Sequence, residues 1–287
     1  MKGPPMSPVP KTPRTVTAIR WQSLALFSAA SLAVGAPVLA DTPYVQTATE
    51  RLWLAQATTE GGEGGESGAP VTTADAGTEA QADAAYLASL GFIEGKLLVG
   101  TALYLDGKAD MAKPHLTLPT DALYADLEPQ LAARGVAGFA QELVALSGAV
   151  ETGAPPDAAQ AAFDAVQAKL ATARAAETSP RAAFDAMLLL MRDAADDYAA
   201  GVTDGRLTDA YEYQDAWGYV QAARAMASGL AGSPDPVIAK ARAKTLEALA
   251  ETDAAFAGLV PDGPVPGDAT LLQGAAARVE LAASKVK

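Results

Sequence analysis

Apolar residues recur at three-and-four spacing along nearly all of residues 81–287, the period of an α-helix with one buried face. Phe184, Met187, Leu188, Met191, Ala195 and Tyr198 form one such stripe, and Ile238, Thr245, Leu249 and Phe256 form part of another. Helix-start signals fall between the stripes: Asp157 after Pro155-Pro156, Ser179-Pro180 before Arg181, and Asp235-Pro236. Alternating apolar runs closed by Asn-Gly or Asp-Gly turns, the mark of hairpins, are not evident. The pattern predicts helices over 81–106, 120–134, 136–151, 157–175, 180–200, 206–230, 235–257 and 268–284. Short loops favour antiparallel neighbours, so the expected class is all-α, an antiparallel multi-helix bundle of about seven to eight helices.

The first of these helices is apolar on almost every side, through Phe92-Ile93, Leu97-Leu98-Val99 and Leu103-Tyr104-Leu105. It is expected in the middle of the bundle. Gly91, Gly95 and Gly100 each cost about 1 kcal/mol against alanine in a helix interior, which points to close helix approach or to room for a ligand. Close packing is the commoner reason. Leu97 to His115 has the look of a single tetratricopeptide-type hairpin, but no second copy follows at a fixed period, and a solenoid needs about three.

Upstream the pattern changes. Basic Lys2, Lys11, Arg14 and Arg20, an apolar stretch from Trp21 to Ala36, and Val38-Leu39-Ala40 before Asp41 read as a cleaved signal peptide, residues 1–40. Pro37 closes the apolar stretch after about 16 residues, short of the roughly 20 a spanning helix needs, so no membrane span is expected after cleavage. With no Cys to carry a lipid and no Arg-Arg pair, the destination is periplasmic or secreted, with any ligand acquired outside. Residues 41–80 follow as a flexible acidic tether, because Gly61 to Gly68 combines glycine entropy with like charges and lacks the strand and helix of a phosphate loop. Within it Tyr44 to Ala57 carries Leu52, Trp53 and Leu54. Both a docking segment and an unstructured run fit these residues. A single helical domain, 81–287, completes the chain.

The formal charge is −13, and loss of the leader takes four positive charges with it. That balance disfavours nucleic acid and anionic membrane surfaces and favours cations or a basic protein partner. The chain has no Cys and one His. Disulfides, thiolate chemistry and multi-histidine zinc or di-iron sites are thereby excluded.

That histidine, His115, stands in Lys113-Pro114-His115-Leu116-Thr117-Leu118-Pro119, read as a loop fixed by two prolines before a helix capped by Thr120. Functionally it could ligate a divalent metal cation with Asp121 or Glu94, or act as a general base. The bland alternative packs the ring and bonds it to a backbone carbonyl. A second constellation sets Asp193, Asp196 and Asp197 on one helix opposite Glu212 and Asp215 on the next. Oxygen ligands of this kind suit a hard cation; a solvated face with pairs such as Arg192 to Asp196 is the default. Tyr211, Tyr213, Trp217 and Tyr219 read as core and rim packing, and Met187 and Met191 as core.

The stretch Leu90-Gly-Phe-Ile-Glu-Gly-Lys-Leu-Leu-Val-Gly100, then Met111-Ala-Lys-Pro-His115, Asp121-Ala-Leu-Tyr-Ala-Asp-Leu-Glu128 and Tyr213-Gln-Asp-Ala216, resembles a family of exported bacterial all-helical proteins of unassigned function. The resemblance implies relatives with histidine where this chain has Lys96 and Leu118, alongside His115. Such a set beside carboxylates implies a metal site, of which this chain keeps one histidine. A fainter similarity to imelysin-like periplasmic helical proteins lies in the Gly-Phe-Ile-Glu segment, without their His-x-x-Glu.

The resulting expectation is an exported, non-catalytic helical bundle that binds or handles a divalent cation through His115, Asp121 and Glu94. An interaction adaptor docking a basic partner on its acidic surface is the alternative. A third reading makes His115 the base of an enzyme, oriented by Glu94 or Asp121.

Overall fold

The computed structural model describes residues 74–118, 123–265 and 268–287. The leader and its cleavage site, the Gly-Glu run, the Tyr44–Ala57 segment, Thr120 and Asp121 lie outside the described residues. Helix α1 spans Ala74–Leu105, so helix begins inside the stretch assigned to the tether. After it come α2 (Ala109–Leu118), α3 (Tyr124–Ala133), α4 (Ala140–Glu151) and α5 (Pro156–Ala175). Then follow α6 (Pro180–Gly201), α7 (Ala210–Gly229), α8 (Pro236–Glu251), a 3-10 turn at Thr252–Ala255 and α9 (Ala269–Ala283). The fold is an all-α bundle, as the spacing predicts.

Capping explains most boundaries. Ser179, Asp209, Asp235 and Asp268 each accept a backbone N–H of the helix they precede, and α5, α6 and α8 open on a proline. Two elements depart from expectation. α2 is a helix where a proline-fixed loop was expected: Pro114 forfeits only the bond to the carbonyl of Asp110, whose side chain is fully exposed. Between α6 and α7, Val202–Thr203 pairs antiparallel with Arg206–Leu207 around Asp204-Gly205. Both turn residues have positive φ, 51° and 69°, the two-residue hairpin geometry that an Asp-Gly pair favours. This short hairpin at Asp204-Gly205 corrects the expectation of no Asp-Gly hairpin.

α1 is the central helix. Its Glu79–Leu105 portion is long and apolar enough to cross a membrane by length and composition, yet 89% of its most apolar window is buried inside the bundle. α6, α7, α2 and α5 pack around it. The glycines supply the close approach: a Cβ on Gly218 of α7 would sit 2.5 Å from the carbonyl oxygen of Gly95, and one on Gly95 would sit 2.9 Å from the carbonyl carbon of Gly218. Backbone meets backbone there, and neither side can yield as a side chain does. At Gly91 the obstacle is instead the terminal methyls of Leu190. We therefore expect Gly218→Ala to cost about 2 kcal/mol of stability, against a smaller loss for Gly91→Ala, read as urea-unfolding midpoints at constant slope. Equal losses would mean the α1–α7 contact is no tighter than the α1–α6 one.

Candidate functional site: a buried polar cluster at the centre of the bundle

Three helices converge on one buried carboxylate. Asp215 of α7 accepts from Lys96 of α1 at Oδ2 and from His115 of α2 at Oδ1, the latter at 2.9 Å. The side chains of all three are at least nine-tenths buried. His115 Nε2 lies 2.9 Å from Gln214 Oε1, and Gln214 Nε2 donates to the carbonyl of Leu259 at 3.0 Å. That second bond turns the amide oxygen toward the ring, so both ring nitrogens face oxygen atoms of side chains. Its face stacks on Tyr211, centroids 4.4 Å apart and 10° from parallel. Lys96 also donates to the Tyr211 hydroxyl at 3.1 Å and lies over the rings of Tyr211 and Tyr219 at 4.9 and 5.8 Å.

Electrostatics follow from that packing. Burial alone would raise Asp215, but Lys96 and His115 outweigh it and hold the carboxyl below the usual range. Burial pulls Lys96 down, and Asp215 more than restores it, pushing the amine well above its ordinary value. One carboxylate thus holds the lysine and the histidine together.

The remaining acids lie on α6 and α7 without comparable support. Burial pushes the Asp193 carboxyl up to about 7, with Asp196 adding repulsion. Asp197 rises well above the carboxylate range through burial, then Asp215 and Glu212. Glu212, hydrogen-bonded to Asp197, is raised by burial and by Asp215. The solvated-face reading of this constellation therefore fails for Asp193, Asp197 and Asp215, which are 8%, 3% and 1% exposed. Arg192 pairs with Glu280 rather than Asp196.

Of the expected ligands, Glu94 and His115 have separate partners. Glu94 is buried and held by both terminal nitrogens of Arg174, on α5. It lies two residues from Lys96 on α1, a spacing that directs the two side chains to different faces of the helix. His115 is committed to Asp215 and Gln214, and Asp121 lies outside the described residues. Among the described residues no group of three or more Asp, Glu or His is arranged to close around a metal. As a general base His115 would need an open wall, and it is 1% exposed. The bland reading of His115 is corrected too: its partners are side chains, not a backbone carbonyl.

Sequence reasoning missed Lys96, Gln214 and Tyr211 as members of this cluster. One signal was present, since a lysine in a helix apolar on almost every side must find a buried anion. The tyrosine and methionine readings hold: Tyr213, Tyr219, Met187 and Met191 are buried, and Trp217 packs at the edge of the core.

The arrangement defines an all-α protein with a charged centre and surplus carboxylates on two facing helices. Residues 174–285 match the iron permease-associated 4-helix bundle domain. The matched segment contains α6 to α9, and with them Asp193, Asp197, Glu212 and Asp215; Lys96 and His115 fall before it. Comparison with curated proteins and with solved structures gives no match. The match supports a helical bundle and carries no evidence for the exported or the imelysin-like resemblance.

Proposed function

We propose that this protein is an exported, non-catalytic bundle that handles a divalent metal cation, iron being the candidate cargo, through the carboxylates of α6 and α7. One observation carries the reading: inside the segment similar to an iron permease-associated domain, Asp193 and Asp197 are buried and form no ion pair among the described residues. Buried acids in that condition are neutralised by protons or by a cation. Lys96 already serves as the fixed counter-cation of Asp215, so a mobile cation belongs at Asp193, Asp197 and Glu212. Oxygen ligands suit hard divalent ions, and a cluster not closed around an ion suits transfer better than storage. The periplasm or extracellular space is the proposed compartment.

The test is calorimetric titration of the chelator-treated full chain with Mn²⁺, and with Fe²⁺ under nitrogen, in buffers of different ionisation enthalpy. Binding with proton release is expected, because the acids give up protons to the metal. Asp193→Asn and Asp197→Asn are each expected to weaken it about tenfold or more. Absence of binding in the parent chain, or binding that both variants leave unchanged, would overturn the proposal.

A further inference from the structure

Between them α8 and α9 leave an open groove of about 720 Å³. Its floor is small and apolar, with Ala241, Ala248 and Ala282, and its edges carry Val237 and Leu281. Those two are 44% and 62% exposed and make up half of the large exposed hydrophobic side chains among the described residues. The rim runs against the charge of the whole chain. Lys240, Lys244, Arg278 and Lys285 line it beside only two acids, Glu247 and Glu251. Lys244 pairs with Glu247 and Arg278 with Glu251, which leaves Lys240 and Lys285 without an ion-pair partner among the described residues. An acid-rimmed groove for a basic partner is not what this face offers.

We propose that the groove seats the chain's own Glu50–Ala57 segment, with Leu52, Trp53 and Leu54 supplying the apolar filling. Two further observations select this occupant. The first is charge: residues 41–73 hold Asp41, Glu50, Glu60, Glu63 and Glu66 against a single base, Arg51. The second is where the described chain begins. Tyr86, thirteen residues into α1, donates to the carbonyl of Ala173 at the end of α5. A short link leads from α5 to Arg181 in the first turn of α6, and Arg181 donates to the carbonyls of Ala283 and Val286 at the end of α9. These contacts set the first half of α1 and Lys285 toward the same end of the bundle, with the helix start a further ~18 Å from Tyr86. From Leu54 to Ala74 is about 20 residues, and a Gly-rich linker of that length has a root-mean-square span of about 25 Å. A 16-residue helix such as α8 is about 24 Å long. Fully extended, 20 residues span up to about 66 Å, so the leash can return over the first stretch of α1 to the groove. The groove shares no lining residue with the buried carboxylates, and its occupancy is read without metal.

Trp53 makes the proposal measurable. In the full chain carrying Trp21→Phe and Trp217→Phe, Trp53 is the sole tryptophan. Its emission is expected blue-shifted and shielded from acrylamide, and independent of protein concentration. Leu281→Asp, at an exposed position that cannot unfold the core, and the pair Lys240→Glu with Lys285→Glu are each expected to return it to a water-like maximum. The charge pair is expected to act more weakly in high salt. A water-like Trp53 in the parent would overturn the proposal, as would a shielded Trp53 that ignores both sets of variants. Shielding that grows with concentration alongside dimer formation would overturn it in favour of a second copy as occupant.

Discussion

Asp215→Ala is expected to be the most damaging single substitution in the described fold, costing about 3–5 kcal/mol. The reason is asymmetry. Asp215 answers the Lys96 ammonium and the His115 ring in a site with almost no access to water. Its removal leaves the ammonium without an anion and the ring without its partner, and a buried uncompensated charge costs far more than a lost hydrogen bond. In a bundle of this size the loss corresponds to a fall in Tm of roughly 10 °C or more. Asp215→Asn keeps the shape and still removes the charge, so it is expected to recover only part of the loss. The informative partner is Lys96→Met, which removes one cation at similar volume. Combined with Asp215→Asn, it is expected to be less destabilising than Asp215→Asn alone, because replacing a whole buried pair costs less than breaking it. Urea unfolding of the four chains reads the cycle. Additive losses would mean that Lys96 does not depend on Asp215 for its charge.

The fold was legible where periodicity and caps agreed. α5, α6 and α9 begin and end within about one residue of their expected limits, since Pro156, Ser179 and Asp268 fix the starts chemically. α2 was not legible, because Pro114 reads as a breaker and the exposure of Asp110 that makes it tolerable is a property of the fold. The site was half legible. His115 was singled out because it is the only histidine, but the partners that give it meaning stand about 100 residues away on α7. A spacing rule ties residues within one helix, and it cannot say which helix a ring will face. Nearness in sequence favoured Glu94 and Asp121 as its companions; helical geometry instead sends Glu94 to Arg174 and Lys96 to Asp215. The acids of α6 and α7 were visible as a group, and only tertiary packing decided that Asp193 and Asp197 face inward while Asp196 faces solvent.

The second large effect concerns pH, and it has the opposite sign from ordinary acid denaturation. A carboxyl whose folded pKa exceeds its unfolded one binds more protons in the native state, so stability falls as pH rises through the interval between the two values. For Asp193 that interval runs from 3.8 to about 7. Asp197 and Glu212 are displaced in the same direction, by burial first and by Asp215 next or close to it, while Lys96 partly offsets them. Asp215 is displaced the other way: its contribution is present above the unfolded carboxylate value and is lost as pH falls through its lower folded one. Chelator-treated protein is therefore expected to lose stability between about pH 4 and pH 7. Asp193→Asn carries no proton to lose, so it is expected to match the parent near pH 4 and to exceed it at pH 8, by on the order of 2–4 kcal/mol. Excess Mn²⁺ at pH 8 is expected to raise the parent more than the variant, because a cation offsets the burial cost of the ionised Asp193 carboxylate that the missing protons no longer do. Melting curves at pH 4, 6 and 8, with and without the ion, separate the possibilities. A parent that gains stability steadily from pH 4 to 8 would show that Asp193 is ionised at no cost, and the case for a cation at these acids would lose its physical ground.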